Sequence, residues 1–291
     1  MLARCEKNRI AVLSIIYGIL AAISWGGGDF SGGLSSRRVG AYRAVFLAEA
    51  LGLVFLLIVL AIFREALPPL LGLALAAGVG AFGSLSLLIL YRAMEVSKMS
   101  IAAPVSALLA AGFPVLAGAL TDGMPKISQF AGFGLALAAV WMVSQSGEAG
   151  KPHLQSVADL RLPLLAGIGF GTYFIIIHRV AQESTLWPMI ASRTGGTLML
   201  ALVVLGMRRE ALNIPAREWP LVTLCGILDV GGNFFYILAS QVGRLDISAV
   251  LSSLYPGVTA LLAWVLIKEH ISGPQRVGIF LALAAIVLMT I

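Results

Sequence analysis

Long apolar runs, each about the length of one membrane-spanning helix, recur from one end of the sequence to the other. A helix needs about 20 apolar residues to cross a bilayer, and the strands of a membrane barrel are much shorter. Hydropathy and turn signals predict ten spans, at 11–33, 41–62, 69–91, 101–120, 127–146, 160–181, 188–207, 219–242, 247–267 and 276–291. We therefore predict an all-α polytopic membrane protein with ten transmembrane helices.

The pattern occurs twice in the chain. At an offset of 146 residues, "QFAGFGLALAA" (129–139) aligns without a gap on "QRVGIFLALAA" (275–285). The same offset aligns Gly80 on Gly226, Ala93 on Ala239 and Ile101 on Ile247. The alignment of separate glycine and glutamine positions at one offset indicates an internal repeat rather than low complexity.

Each half of the chain holds five predicted spans. Because five is odd, the second half enters the membrane from the opposite side, and we predict two inverted five-helix repeats. The expected division is a first repeat with an N-terminal tail at 1–146, a linker loop at 147–159, and a second repeat at 160–291. Inverted repeats are typical of alternating-access carriers, whose solute site lies near the bilayer midplane between the halves.

Composition excludes several function classes. Of the 291 residues, 59% are hydrophobic and 12% charged, the mean hydropathy is +0.96, and the net charge of +6 falls in short loops. No soluble basic face is left for nucleic acid. Cys5 and Cys225 give no disulfide framework, and neither a P-loop nor a cluster with metal-ligand spacing is present, so no cofactor, metal or ATP hydrolysis is expected.

Polar residues inside two late spans are the main candidates for a solute site. Asp229, Asn233 and Tyr236 share one helical face at i, i+4 and i+7, although an aspartate at bilayer depth costs roughly 2.5–3.5 kcal/mol. We interpret this face as lining a cavity, and a buried Asp–Asn pair between helices is the alternative. In the ninth span Ser252 and Tyr255 repeat the spacing, and serine can also bond its own helix backbone.

Prolines interrupt two spans at comparable positions. Pro114 lies in the fourth predicted span and Pro256 in the ninth. Each removes one backbone donor and frees a carbonyl. We predict that both bend or break their helices near the midplane and act as gating hinges.

The first span contains "SWGGGDFSGG" (24–33), with Trp25 and Asp29. Trp25 is predicted to form a gate or a cavity wall, or to face lipid. Asp29 is placed near the end of its span, where headgroups are within reach. Gly26 to Asp29 also match the Gly-x-Gly-Asp signature of intramembrane aspartyl proteases, which need a second aspartate close by. An intramembrane enzyme is therefore the alternative from another class.

At the repeat ends the sequence resembles the EamA-type branch of the drug/metabolite transporter superfamily. The segments "GALTDGMPKISQFAGFGLALAAVWMV" and "AWVLIKEHISGPQRVGIFLALAAIVLM" resemble its pattern of a helix, an acidic turn and a glycine-containing final helix. The second keeps Glu269 in the turn, and the first departs with Asp122-Gly123. The resemblance implies an exporter or exchanger of small metabolites in the inner membrane, not an enzyme, with both termini cytoplasmic. The distribution of Lys and Arg among the loops favours the opposite orientation, because positive charges are normally enriched on the cytoplasmic side.

The remaining charges inside spans are interpreted as structural. Arg193, near the start of the seventh span, is expected at the interface with its guanidinium among the headgroups. Glu49 is expected to pair with Arg43 or with an arginine of another helix. Since no paired cations are found at depth, phosphorylated solutes and nucleotide sugars are disfavoured.

The combined prediction is a secondary-active exporter of small metabolites, with neutral, apolar or aromatic amino acids as the first choice. The partners are a small-molecule solute and lipid, without nucleic acid, and the protein is expected to be a monomer. A proton-coupled drug or cation exporter is the alternative within transport. The predicted substrate-binding residues are Trp25, Tyr91, Tyr173, Asp229, Asn233, Tyr236, Ser252 and Tyr255.

Overall fold

The computed structural model describes residues 2–96, 99–143, 161–182, 184–206, 213–268 and 272–290, so the predicted linker at 147–159 lies outside it. Within these residues the chain forms eleven α-helices and a 3-10 helix at Ala216–Glu218, and no strand. The helices are α1 (Leu2–Val39), α2 (Ala41–Phe63), α3 (Leu70–Val96), α4 (Met99–Thr121), α5 (Ile127–Val143), α6 (Arg161–Val180), α7 (Leu186–Gly206), α8 (Trp219–Val242), α9 (Leu245–Ser252), α10 (Tyr255–Ile267) and α11 (Gly273–Thr290).

Helix length and surface identify a multi-pass membrane protein. Among the described residues six helical stretches are long and apolar enough to cross a membrane: Val12–Val39, Ala41–Phe63, Leu70–Leu90, Arg161–Val180, Ala216–Val242 and Leu245–Ile267. Shorter apolar stretches lie at Leu109–Thr121, Ile127–Met142 and Arg276–Ala285. Large apolar side chains are exposed on the outer surface, with Leu120 at 88% and Phe280 at 72%. Lipid explains such a surface, which would cause aggregation in water.

The first and ninth spans differ from their predicted form. α1 runs to Val39 instead of ending at residue 33, which places Asp29 ten residues before the end of the helix. The ninth span is divided into α9 and α10, separated by Ser253 and Leu254. At the break, Leu254 N donates to Leu251 O (3.2 Å), a three-residue bond that tightens the turn.

Pro256 accounts for part of this break. It is the second residue of α10 and has no backbone N–H, so the carbonyl of Ser252 lacks its usual helical donor. In contrast, α4 is one continuous helix through the buried Pro114. The predicted interruption is therefore found in the ninth span and not as a break in the fourth, and the gating role of both prolines stays a prediction.

The helix neighbours show that two halves of the chain pack as repeats. α1 packs along α8, as its counterpart α6 packs along α3. α2 packs on α8 as α7 packs on α3, and α1 lies against α9 and α10 as α6 lies against α4. α5 pairs with its own counterpart, α11. If each helix is replaced by its counterpart in the other half, the same set of helix pairs results. This equivalence indicates an approximate two-fold axis between the halves.

Close approaches between helices also set their directions. α1 is parallel to α9–α10, α6 is parallel to α4, and the end of α4 meets the start of α9. It follows that α1 and α6 run in opposite directions, as in an inverted pair. The approaches that fix these directions are Gly18 with Leu251, Gly26 with Val258, Ser106 with Gly167, Phe113 with Gly171, and Gly118 with Asp246.

Two glycines that the internal repeat aligns make equivalent contacts. Gly226 of α8 lies against the carbonyl of Ala48 in α2, and Gly80 of α3 lies against the carbonyl of Ser192 in α7. A side chain at either glycine would collide with a backbone oxygen. Small residues allow this close approach of helix backbones in membranes, and here they bring α2, α7 and α8 together around the residues that follow Ala48 and Ser192.

Candidate functional site

Three charged side chains meet where α2, α7 and α8 converge. Arg193 of α7 places Nη1 2.8 Å from Oε1 of Glu49 in α2, and its Nη2 donates to Oδ2 of Asp229 in α8. The side chains of Arg193 and Glu49 are only 8% and 12% exposed, whereas that of Asp229 is 39% exposed. The arginine is therefore enclosed between two carboxylates, of which Asp229 is the accessible one.

Local sequence explains why an arginine fits here. Glu49 and Arg193 occupy matching places in α2 and α7 (49 and 193, an offset of 144), directly after the two residues that lie against glycines. Gly52, one turn after Glu49, leaves space beside the guanidinium, since a Cβ there would lie 3.6 Å from Cζ of Arg193. The ion pair is thus formed between equivalent positions of the two repeats.

The formal charges of this group do not cancel. Two carboxylates share one guanidinium, which leaves one negative charge in excess. Removing charges from water is expensive unless they are paired. Asp229 is the more exposed of the two carboxylates, so water can solvate the part of its charge that Arg193 does not neutralise. Asp229 is thus paired within the protein, as a carboxylate inside a span requires.

Asn233 and Tyr173 extend the group from α8 to α6. Asn233 Nδ2 donates to the carbonyl of Asp229 at 2.9 Å, one helical turn earlier, and the Tyr173 hydroxyl donates to Asn233 Oδ1 at 2.9 Å. This hydrogen bond connects α6 and α8 within the second repeat. The polar face predicted on α8 is therefore a network, in which the asparagine amide already has partners on both of its ends.

An aromatic cluster from three other predicted site residues adjoins this network. Trp25 of α1 packs against Phe174 of α6 (ring centroids 5.4 Å apart), Tyr236 of α8 (5.9 Å) and Tyr255 of α10 (6.3 Å). Tyr173 and Phe174 are also in contact, at 5.7 Å. Since both halves contribute rings, the cluster forms an apolar wall at their junction, beside the charged residues.

Asp29 lies at the same junction. It is exposed, it follows Trp25 by one turn of α1, and it interacts electrostatically with Asp229. Gly28, its neighbour, approaches the backbone of Asp229. Because α1 continues for ten residues beyond Asp29, this carboxylate is not at the end of its helix as the sequence suggested, and it adjoins the candidate site.

The other predicted site residues lie in less accessible places. Ser252 is buried and its hydroxyl donates to the carbonyl of Ser248, so it serves its own helix. The hydroxyl of Tyr236 donates to the carbonyl of Phe174 at 3.3 Å, and the ring is 1% exposed. Tyr91 belongs to α3, and its side chain is outside the described part of the chain.

Arg193 is the residue for which the structure contradicts the expectation of an interfacial position. It lies seven residues inside α7 and is enclosed. The sequence does hold a signal: Arg193 and Asp229 are the single charges of two apolar runs, and Glu49 lies in a third run that has only Arg43 as a further charge. Charges of opposite sign in separate spans satisfy each other most economically by pairing.

One end of the bundle is fastened between the halves by acidic loop residues. Glu65, after α2, accepts the backbone N–H groups of Thr185 and Leu186 at 2.8 Å each, at the start of α7. Asp122, after α4, accepts the N–H of Leu245 at 3.1 Å, at the start of α9. Carboxylates at helix N-termini are favourable because the free amide groups carry positive charge. Arg244 adds a bond to the carbonyl of Gly123 at 2.6 Å.

The carboxylates of the site are bound to a cationic side chain rather than grouped together, in the part of the chain that the structure describes. Within the described ranges no group of three or more His, Cys, Asp or Glu side chains is placed to hold a metal ion. The carboxylates of the site are instead engaged by a guanidinium. The arrangement can bind a positively charged group beside an aromatic surface.

Comparison with known proteins agrees with the two-repeat architecture. The model of the EamA-like transporter family matches the chain twice, at residues 12–145 and 160–291. An uncharacterized protein of Methanocaldococcus jannaschii is 28% identical over 123 residues, which cover 42% of this chain and 88% of that protein. The aligned length is thus close to that of one repeat.

A solved structure has the same overall fold. A crystal structure described only as that of a protein superposes with a TM-score of 0.77 at 18% identity. The match covers 94% of this chain and 95% of the other. At this identity the likeness concerns the fold, and it extends over both repeats.

Proposed function

Because the chain belongs to the EamA-like transporter family, and so is a membrane transporter of small solutes, we propose that it is a secondary-active exporter of amino acids. It works by alternating access around a cavity between the two repeats, near the bilayer midplane. All ten helical spans cross the membrane in this proposal, with the divided α9–α10 counted as one. Neutral amino acids with an apolar or aromatic side chain are the first choice.

The observation that carries this proposal is the position of an accessible carboxylate beside an aromatic wall. Asp229 is the most exposed member of its ion-pair group, and Asp29 lies near it. Trp25, Phe174 and Tyr255 adjoin them. A carboxylate holds an ammonium group, and aromatic faces accept both cations and apolar side chains, so an amino acid satisfies both parts.

The same observation disfavours phosphorylated solutes. Arg193 is the one cation of the group, and both of its terminal nitrogens are engaged by carboxylates. A phosphate would have to displace them and would meet an excess of negative charge. Nucleotide sugars are disfavoured for the same reason.

A proton-coupled exporter of drugs or organic cations is the second candidate. It is favoured by the negative excess among Glu49, Arg193 and Asp229, which a cation neutralises and a zwitterion does not. The intramembrane enzyme is the weakest alternative. An aspartyl dyad needs two carboxylates that share a proton, and Asp229, the carboxylate near Asp29, is paired with Arg193.

Counterflow in proteoliposomes tests the proposal. The purified protein, loaded with an unlabelled amino acid, should accumulate the labelled one, and a panel of neutral, apolar and aromatic amino acids ranks the solutes. Organic cations, with and without a pH gradient, form the second arm. If the protein hydrolyses peptides of a labelled panel and shows no counterflow, the carrier proposal is wrong and the intramembrane enzyme is favoured.

The expected setting is the inner, cytoplasmic membrane, with a monomer as the working unit and both termini cytoplasmic. In this orientation the end fastened by Glu65 and Asp122 is the cytoplasmic end, because α1 begins there. Labelling of single cysteines placed at each end with an impermeant maleimide, on intact cells, tests the orientation.

A further inference from the structure

The ion-pair group suggests how a solute gains access to Asp229, and this step rests on the proposed function. We propose that Arg193 is a tethered competitor for Asp229: the ammonium group of the solute displaces it, and Glu49 retains it meanwhile. Arg193 and Glu49 are thus positioning residues, which set affinity without binding the ammonium group themselves.

The geometry of the guanidinium makes this exchange possible. Arg193 uses Nη1 for Glu49, at 2.8 Å, and a different nitrogen, Nη2, for Asp229. Because the two bonds use separate nitrogens, the bond to Asp229 can break while the bond to Glu49 remains. A lysine, with a single charged nitrogen, would have to share it between both carboxylates.

Accessibility decides which of the two bonds exchanges. The Asp229 side chain is 39% exposed, while Glu49 is 12% and Arg193 8% exposed. An entering solute therefore reaches Asp229 first and cannot reach Glu49 without opening the contact between α2 and α7. Gly226 and Gly52 keep α2 and α8 in close contact around this point, so the enclosed part of the group is fixed while its accessible part is free to change partner.

Charge pairing favours the exchange over simple addition. In the empty protein two carboxylates share one guanidinium. After an ammonium group binds Asp229, each carboxylate has a cation of its own, and no charge of the group is left unpaired. Leaving one charge of an enclosed pair without its partner is the costly outcome, and Glu49 prevents it for Arg193.

The proposal predicts a loss of affinity that a second substitution reverses, which a purely structural role of Glu49 does not predict. Glu49→Gln leaves Asp229 as the only carboxylate partner of Arg193, so the guanidinium competes harder with the solute. The dissociation constant for an ammonium ligand should rise about tenfold, equivalent to roughly 1.4 kcal/mol. The double change Glu49→Gln with Arg193→Gln removes the competitor and should return the constant to about the wild-type value or below it.

Titration calorimetry on the full-length purified protein, with phenethylammonium as the probe, measures these constants without any transport. Glu49→Asp keeps the carboxylate and should bind within about threefold of wild type. Arg276→Gln, an exposed arginine of α11, is the matched control and should bind as wild type does. Thermal unfolding of each variant shows whether a loss of binding reflects a loss of fold.

Each outcome decides the proposal. An unchanged or lower dissociation constant in Glu49→Gln overturns it, as does a double variant that is folded but binds no better than Glu49→Gln. If the double variant does not fold, Glu49→Asp decides. A dissociation constant as high in Glu49→Asp as in Glu49→Gln would overturn the proposal, because the carboxylate would then not determine the affinity. A wild-type protein that does not bind phenethylammonium also overturns it. Counterflow of amino acids is measured separately, so the carrier function can stand when this inference fails, and the reverse.

Discussion

α3 and α8 occupy equivalent places in the two repeats and differ in one decisive respect. Each packs antiparallel along a helix of the other half, α3 on α6 and α8 on α1. At the offset of 146 residues, Asp229 corresponds to Gly83 and Asn233 to Leu87. The polar face of α8 thus has an apolar counterpart on α3, so Asp229 and Asn233 have no polar equivalents in the first repeat.

The opposite helices differ in the complementary way. Gly28 of α1 approaches the backbone of Asp229, whereas the ring of Tyr173 in α6 lies against Gly83, with Cδ2 3.3 Å from the place of its missing Cβ. Where α8 carries the larger group, its neighbour carries glycine, and where α3 carries glycine, its neighbour carries tyrosine. The two repeats therefore keep equivalent helix neighbours, while the residues at the two equivalent contacts differ in size and charge.

The largest effect is expected from Asp229→Asn, which makes α8 uncharged like α3. The change removes the accessible carboxylate and leaves Arg193 with Glu49 alone. Losing one member of a hydrogen-bonded charge pair costs about 2 kcal/mol or more, roughly 30-fold in apparent affinity. Half-saturation of amino-acid counterflow measures this loss. Arg276→Gln in α11 is the control. An equal loss of apparent affinity in both variants would mean that the loss does not come from the Asp229 site.

Much of the fold follows from the sequence because apolar runs and their repetition are local properties. The runs around residues 41–62 and 219–242 became α2 and α8 with almost the predicted bounds. The alignment of Gly80 on Gly226 also anticipated equivalent packing. The pairing of Glu49 with Arg193 did not follow, because a contact between helices from different halves depends on tertiary structure, and snorkelling explained a lone arginine equally well.

The candidate site was predicted in part for the same reason. Trp25, Tyr173, Tyr236 and Tyr255, chosen because they are aromatic residues inside spans, lie in one cluster. The accessibility of each residue could not be predicted, since it depends on which helices cover it. Their role in solute binding stays a prediction.

The next largest effect is expected at Asn233 and Tyr255. Asn233→Ala removes the acceptor of the Tyr173 hydroxyl and the donor to the Asp229 carbonyl, and Tyr255→Phe removes a hydroxyl beside the aromatic cluster. Each hydrogen bond contributes about 0.5–1.5 kcal/mol. We expect a several-fold to tenfold loss of apparent affinity, measured by counterflow at several solute concentrations. Unchanged half-saturation in both variants, at matched protein levels, would exclude these residues from the site, and Lys151→Ala serves as the control.

A smaller effect is expected when the break between α9 and α10 is repaired. Pro256→Ala restores a backbone N–H one turn after Ser252 and permits a continuous helix, as in α4. If the break serves as a hinge, we expect the maximal rate of counterflow to fall by about two- to fivefold. The reason is that a continuous helix bends less easily at this point during the conformational change. Pro114→Ala is the matched change in a helix that is already continuous, and a comparable fall there would remove the distinction between the two prolines.

The smallest effect concerns the starts of α2 and α7, which are also equivalent. Glu65 caps α7 through two backbone N–H groups, whereas the residue before α2 is Gly40, which has no side chain to cap that helix. Glu65→Gln keeps one acceptor oxygen and removes the charge, so it should cost about 1 kcal/mol. For a chain of this size that lowers the melting temperature by about 2–4 °C. The tetrapeptide Arg-Glu-Ala-Leu at 64–67 recurs at 209–212, which makes Glu210→Gln the matched control. We expect Glu210→Gln to leave the melting temperature within about 1 °C. An equal fall in both variants would mean that both repeats use this glutamate in the same way, and the asymmetry between the helix starts would not be a property of the protein in solution.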